Sequence, residues 1–185
     1  MGDTFNASMS KTTKAFNEIV LPIFNKRYPK YKFVSIEGRA NDEITKDFDI
    51  YAGIDVYRVQ SERGEMIGIA SRIQFDKNWA TFTVRKSRES GNLTEYGKRK
   101  YAIAHSSMYP YLTMQAYISE SETVIGLCRT KDLIDYIDTH NPQTRTTGRD
   151  QYGQATFFVC PWADMKEKGY TVVILRCSDE VLKAA

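Results

Sequence analysis

Cysteine is scarce in this chain, and no stretch is apolar enough to cross a membrane. Cys128, Cys160 and Cys177 are odd in number, and none forms a Cys-x-x-Cys pair, so the sequence indicates neither a zinc site nor a disulfide framework. We expect these thiols to be buried or half-buried in a reducing cytoplasm. Because no apolar run approaches the roughly 20 residues of a membrane-spanning helix, we expect a cytoplasmic protein that has no membrane partner.

The signature motifs of common enzymes are also missing. The sequence has no Gly-x-Ser-x-Gly, no Walker loop and no Gly-x-Gly-x-x-Gly, which leaves hydrolase, NTPase and dinucleotide-binding functions without local support. His105 and His140 are the two histidines, and each is predicted to end a helix, where a cation suits the helix dipole. The net charge is only +3, so any binding to nucleic acid would depend on a local basic patch.

The chain contains enough apolar residues for one folded domain. Its 185 residues are 42% hydrophobic and 12% aromatic, which is typical of a globular protein, and we expect a single domain over residues 1–185. Helical spacing of apolar residues predicts a leading helix from Ser10 to about Arg27, in which Pro22 marks a kink or an early end. The later segments predict an α+β fold, with a central mixed or antiparallel sheet and flanking helices. Strands are predicted at about residues 31–36, 53–60, 66–75, 79–85, 111–119, 123–129, 156–160 and 170–176, helices at 94–105 and 131–140, and a polar loop at 143–154.

Two strand-like runs joined by a Gly-containing turn stand at the centre of the sequence. The first opens at Gly53-Ile54-Asp55 and the second ends near Gln74, which is typical of a β-hairpin. Arg72 and Gln74 share one face of the second strand, since strand side chains alternate. Asp49 and Asp55 place carboxylates at the head of the first strand, so the hairpin is a candidate metal or phosphate site. The alternative is a solvated turn with a surface cation.

This central hairpin carries a resemblance to a known family. The order of a leading helix, a strand, a strand opening at Gly53-Ile54-Asp55, and then Ile67-Gly68-Ile69-Ala70-Ser71-Arg72-Ile73-Gln74 before a helix resembles the PD-(D/E)XK nuclease superfamily. That superfamily has the restriction-endonuclease-like fold, and many of its phage and mobile-element members carry a Gly-Ile-Asp strand. The resemblance covers about residues 10–105.

The resemblance implies a DNA-interacting protein of a phage or mobile element, with a Mg²⁺-dependent nuclease site. Asp55 would be the metal-binding acid, with Asp49 as a further ligand. Arg72 would take the place of the family's basic residue and stabilise negative charge, and Gln74 would orient the water. The acid-x-Lys element of the family is broken here, because Ala70 stands two residues before Arg72 and Asp76 two residues after Gln74. An inactive nuclease-like domain is therefore a second expectation.

A basic segment follows the hairpin and is a candidate contact for nucleic-acid phosphates. The alternative is a solvated loop and helix face. The basic side chains of this segment are Arg85, Lys86, Arg88, Lys98, Arg99 and Lys100.

Two functions from different classes follow from these features. The first is DNA interaction, with Mg²⁺-dependent phosphodiester cleavage if the site is active. The second is a catalytically inactive inhibitor of anti-defence type, which binds a host protein of a nucleic-acid machine through charge complementarity. The acidic turn at residues 120–122 and the charged loop at residues 85–91 would supply its contacts.

Overall fold

The computed structural model describes residues 11–36, 52–91, 93–148 and 153–178. Helix α1 covers residues 11–27 and contains a π-helical segment, Phe16–Val20, before it continues as Leu21–Arg27. Pro22 has no N–H to donate to the carbonyl group four residues before it, and the Leu21 amide donates to the Phe16 carbonyl oxygen, five residues back. The helix therefore continues past the proline through one wider turn, instead of ending there.

The remaining elements confirm the predicted α+β class and its mixed central sheet. Among the described residues, no helix is both long enough and apolar enough to span a bilayer. The strands are β1 (Lys32–Ser35), β2 (Val56–Gln60), β3 (Glu65–Phe75), β4 (Thr81–Arg88), β5 (Leu112–Ile118), β6 (Glu122–Arg129), β7 (Thr144–Thr146), β8 (Ala155–Pro161) and β9 (Val173–Ser178). The later helices are α2 (Glu95–Ala104), α3 (Thr130–His140) and α4 (Trp162–Glu167).

The larger sheet has six strands in the order β1-β2-β3-β5-β6-β9. Its neighbours are antiparallel, except that β3 and β5 run parallel. A parallel pair cannot be closed by a tight turn, and the chain between these two strands forms β4 and α2. This crossover brings β4 and the basic segment of α2 beside the β3–β5 pair.

A second sheet departs from the sequence prediction of one central sheet. Strand β4 pairs with β8 instead of extending the larger sheet, and β8 pairs with β7. Strand β7 forms inside the stretch that the sequence predicted as a polar loop. Its three residues are exposed, so no apolar alternation marks it as a strand in the sequence.

The larger sheet buries apolar side chains on both faces because side chains alternate along each strand. On one face, Met114 and Ala116 of β5 pack with Phe16 and Phe24 of α1. On the other face, Tyr117 packs with side chains of α3, α4 and the second sheet. Thr113 and Gln115 of β5 alternate with Met114 and are also buried, so this second face carries polar groups next to its core.

The three cysteines are free of disulfides, with Cys128 and Cys160 buried and Cys177 half-buried, as predicted. Burial raises the pKa of Cys160 to about 12, and burial also raises the pKa of Cys128. Both thiols therefore stay protonated at neutral pH, which makes them poor nucleophiles.

Gly126 allows the indole of Trp162 to pack directly on β6. A Cβ atom at this position would overlap the indole ring, which is 1% exposed and has no room to move away. We expect Gly126→Ala to lower the free energy of unfolding by about 1–3 kcal/mol, because the core becomes overpacked. Urea unfolding measures this loss.

Gly148→Ala is the matched control, because nothing lies within 4 Å of the Cβ atom that it would add. Its unfolding free energy should stay close to that of the wild type. Equal losses in the two variants would contradict the packing explanation.

Candidate functional site

A pocket of about 770 Å³ opens between the β3–β5 pair, β4 and the first turns of α2. Cationic side chains outnumber carboxylates in its lining, so its charge suits an anionic ligand. The cations are Arg72, Arg85, Arg88, Lys98 and Arg99, and the carboxylates are Asp55, Glu89 and Glu95.

A β-bulge aligns two of the arginines on β4. Arg85 is paired with Phe157 of β8 and Arg88 with Ala155, while the register shifts between Arg85 and Ser87. The extra residue in the bulge returns Arg88 to the face of Arg85, which strict alternation would not allow. The Thr94 hydroxyl donates a hydrogen bond to the Arg85 carbonyl oxygen at 2.9 Å. This bond holds the start of α2 against the strand.

Glu95 is the carboxylate around which the arginines are arranged. Its Oε1 is ion-paired with Arg72 and lies 3.9 Å from Nη1 of Arg85, while Oε2 accepts the backbone N–H of Arg85 at 3.3 Å. Burial alone would raise the pKa of Glu95, but Arg72, Arg99 and Arg85 oppose it, and the net pKa is lowered. Glu95 is therefore ionised at neutral pH and fixes the guanidinium groups in place.

Further contacts restrict the same two guanidinium groups. Arg72 Nη1 donates to the Thr83 hydroxyl at 3.3 Å, and that hydroxyl donates to Oε1 of Gln115 at 3.2 Å. The ring of Phe157 lies 5.0 Å from the Arg72 guanidinium and 5.4 Å from that of Arg85. A ligand would therefore meet cations that are already ordered, which reduces the entropy lost on binding.

Arg99 and Gln115, which line the pocket, each have a buried donor without a hydrogen-bond partner among the described residues. Arg99 is 7% exposed and its Nη1 has no partner, and Gln115 is 1% exposed with no partner for Nε2. Burial lowers the pKa of Arg99, and the neighbouring Glu95 opposes this effect. Because buried unsatisfied donors cost about 1–3 kcal/mol each, and more when charged, a ligand with several acceptor oxygens would relieve this cost.

The residues predicted at the hairpin are only partly brought together. Asp55 and Arg72 line the same pocket, whereas Gln74 is not among its lining residues. Asp55 accepts the backbone N–H of Ser71 and so lies against β3. Asp49, the other predicted metal ligand, lies outside the residues that the structure describes.

The predicted basic residues also divide into two groups. Arg85, Arg88, Lys98 and Arg99 line the pocket, but Lys86 and Lys100 do not. The Lys86 ammonium lies 5.0 Å from the Phe158 ring centroid, on the other face of β4. The Lys100 ammonium is 2.9 Å from an Asp138 carboxylate oxygen on α3. Sequence reasoning missed Thr83 and Gln115; the available signal was a Gln between Met114 and Ala116 in a largely apolar strand.

The described side chains fit an anion better than Mg²⁺. No three His, Cys, Asp or Glu side chains gather into a possible metal site in the part of the chain that the structure describes. Both oxygens of Glu95 already contact arginine groups. The excess of cations in the lining therefore suits a negatively charged ligand.

No protein-family model, curated protein or solved structure matches the chain. The likeness to the PD-(D/E)XK superfamily therefore rests on the quoted residues and the element order. In that order, β4 stands as an additional strand between β3 and the helix α2.

Proposed function

We propose that the protein binds DNA through its backbone phosphates, with the cationic pocket as the contact site. The observation that carries this proposal is Arg99, a buried guanidinium with an unpartnered donor in a pocket that four other cations line. A buried cation of this kind is costly to the fold, and a bound anion would offset the cost.

Phosphate groups suit the guanidinium groups of this pocket. Guanidinium groups bind phosphate oxygens in a planar, bidentate manner, and the pocket lining offers several of them within one cavity. Arg72 and Arg85 are held by Glu95 and Phe157, so their charges are directed before the ligand arrives.

Cleavage of the bound DNA is the further step that the nuclease resemblance adds to this proposal. Asp55 and Arg72 line the same pocket, which supports a role for both near a phosphate group. Binding needs no metal ion in this proposal. Mg²⁺-dependent cleavage is tested in a separate assay.

Salt-dependent DNA binding tests the proposal. We expect wild-type affinity for a labelled oligonucleotide to fall linearly with salt on logarithmic axes, because phosphate contacts release counterions. Lys98→Ala removes one pocket cation and should lower the affinity for all sequences, with a salt slope smaller by about one. Lys32→Ala removes an exposed charge on β1 and should change neither quantity. Fluorescence anisotropy measures both.

The contrary results are equally specific. If neither the affinity nor the salt slope distinguishes Lys98→Ala from Lys32→Ala, the pocket is not the DNA contact. Cleavage is assayed with Mg²⁺ or Mn²⁺ for the wild type and Asp55→Ala; equal cleavage by both, or by neither, removes Asp55 from a catalytic role. Co-purification with a host protein, without affinity for DNA, would replace the proposal with the inhibitor hypothesis.

A further inference from the structure

Trp79 is an exposed aromatic ring between two cations, outside the pocket. Its side chain is 50% exposed. The Lys77 ammonium lies 4.1 Å from the ring centroid, and the Arg145 guanidinium lies 5.7 Å from it. An exposed ring flanked by cations is the arrangement on which proteins stack the bases of single-stranded nucleic acid.

The backbone around Trp79 is held in an unusual turn. Asp76 and Ala80 both have positive φ, at 74° and 48°, which is uncommon for residues other than glycine. The Ala80 N–H donates to Oδ1 of Asn78 at 2.9 Å, and the Ala80 carbonyl oxygen accepts the Trp162 amide at 2.9 Å. These contacts fix the turn, so the exposed position of the ring is part of the fold.

A row of side chains links Trp79 to the pocket. Across the second sheet, Arg145 of β7 is paired with Phe157 of β8, and Phe157 with Arg85 of β4. Directly paired residues share one face of a sheet, so the three side chains form a row that ends at the pocket. Arg145 contacts Trp79 at the other end. Cations and rings therefore alternate from the pocket to Trp79.

We propose that the bound DNA is single-stranded, with phosphates in the pocket and a base stacked on Trp79. This inference rests on the proposed function and specifies its substrate. Two observations favour a single strand over a duplex as the ligand. The unpartnered donor of Arg99 is buried inside a concave site, which phosphates on the outside of a rigid duplex reach poorly. The bases of a duplex stack on one another and have no face left for Trp79, whereas unpaired bases do.

Affinity for matched DNA forms tests the substrate. One labelled oligonucleotide is measured alone and as its duplex, and we expect the single strand to bind more tightly. Trp79→Ala should weaken single-strand binding roughly 5- to 150-fold, the range for loss of one base–aromatic stack. Trp79→Phe retains a ring and should keep most of the affinity. Met66→Ala, which truncates another exposed apolar side chain, should leave it unchanged.

Tryptophan fluorescence gives a readout that a purely structural role of Trp79 would not produce. The chain has two tryptophans, and Trp162 is only 1% exposed. We expect the single strand to quench the fluorescence of the wild type, and to bind Trp79→Phe without quenching it. Circular dichroism of Trp79→Ala checks that the variant is folded.

Different results would contradict this inference and the proposed function. Salt-dependent binding that Lys98→Ala weakens, but that is equal for duplex and single strand or unaffected by Trp79→Ala, overturns the single-strand inference alone. Absence of DNA binding by the wild type overturns both.

Discussion

The Glu95→Gln variant is expected to lose about 2–3 kcal/mol of unfolding free energy. Breaking a buried ion pair on one side costs roughly 3–5 kcal/mol, and Glu95 is 24% exposed, which reduces the cost. Glutamine keeps the size of the side chain but removes the charge that Arg72 and Arg85 face. The destabilisation is therefore electrostatic, since close positive charges lose their shared counterion.

The stabilisation that Glu95 provides should also depend on pH. The pKa of Glu95 in the folded protein is below its ordinary value of 4.5, so its ionisation stabilises the folded state fully above that value. This contribution is lost as the pH falls through the folded-state pKa. Glu95→Gln should therefore differ most from the wild type at neutral pH, and the difference should shrink in acid. Urea unfolding at both conditions measures it.

Glu122→Gln provides a matched control for this substitution. Glu122 also pairs with an arginine, Arg176, at 3.4 Å, but the two side chains are 40% and 62% exposed. Exposed pairs contribute about 1 kcal/mol or less, so this variant should remain close to the wild type. Equal losses for the two variants, or a Glu95→Gln loss that does not change with pH, would show that Glu95 does not organise the arginines.

Local periodicity was sufficient to predict the leading helix and the β2–β3 hairpin, because both depend on contacts between nearby residues. Strand partners were less predictable. The choice of β8 as the neighbour of β4, and the parallel pairing of β3 with β5, depend on contacts between distant segments. No local pattern encodes such contacts, so the second sheet was not foreseen.

The candidate site could likewise be predicted from the sequence only in part. The hairpin pattern predicts Asp55 and Arg72 as site residues, and both line one pocket. Because side chains alternate along a strand, Arg85 and Lys86 are expected on opposite faces of β4. Arg88 lines the pocket only because of the β-bulge, and no sequence pattern predicts that bulge. Gln115 lines it because the crossover places β5 beside β3.

Arg99→Met is expected to weaken DNA binding without destabilising the fold. Hydrogen bonds to charged groups contribute about 1.5–3 kcal/mol, so DNA affinity should fall roughly 10- to 150-fold. The free energy of unfolding should stay the same or rise, because methionine is a good helix former and removes a buried donor that has no partner among the described residues. Anisotropy and urea unfolding on the same preparations give both values.

Arg176→Met is the control, since Arg176 is 62% exposed in its pair with Glu122 and lies outside the pocket lining. Its DNA affinity should match that of the wild type. A large loss of stability in Arg99→Met, with affinity unchanged, would identify Arg99 as a structural cation and contradict its role in binding. Weaker DNA binding with unchanged or higher stability would mean that α2 retains the buried charge of Arg99 for binding and not for stability. Such a compromise is typical of binding sites.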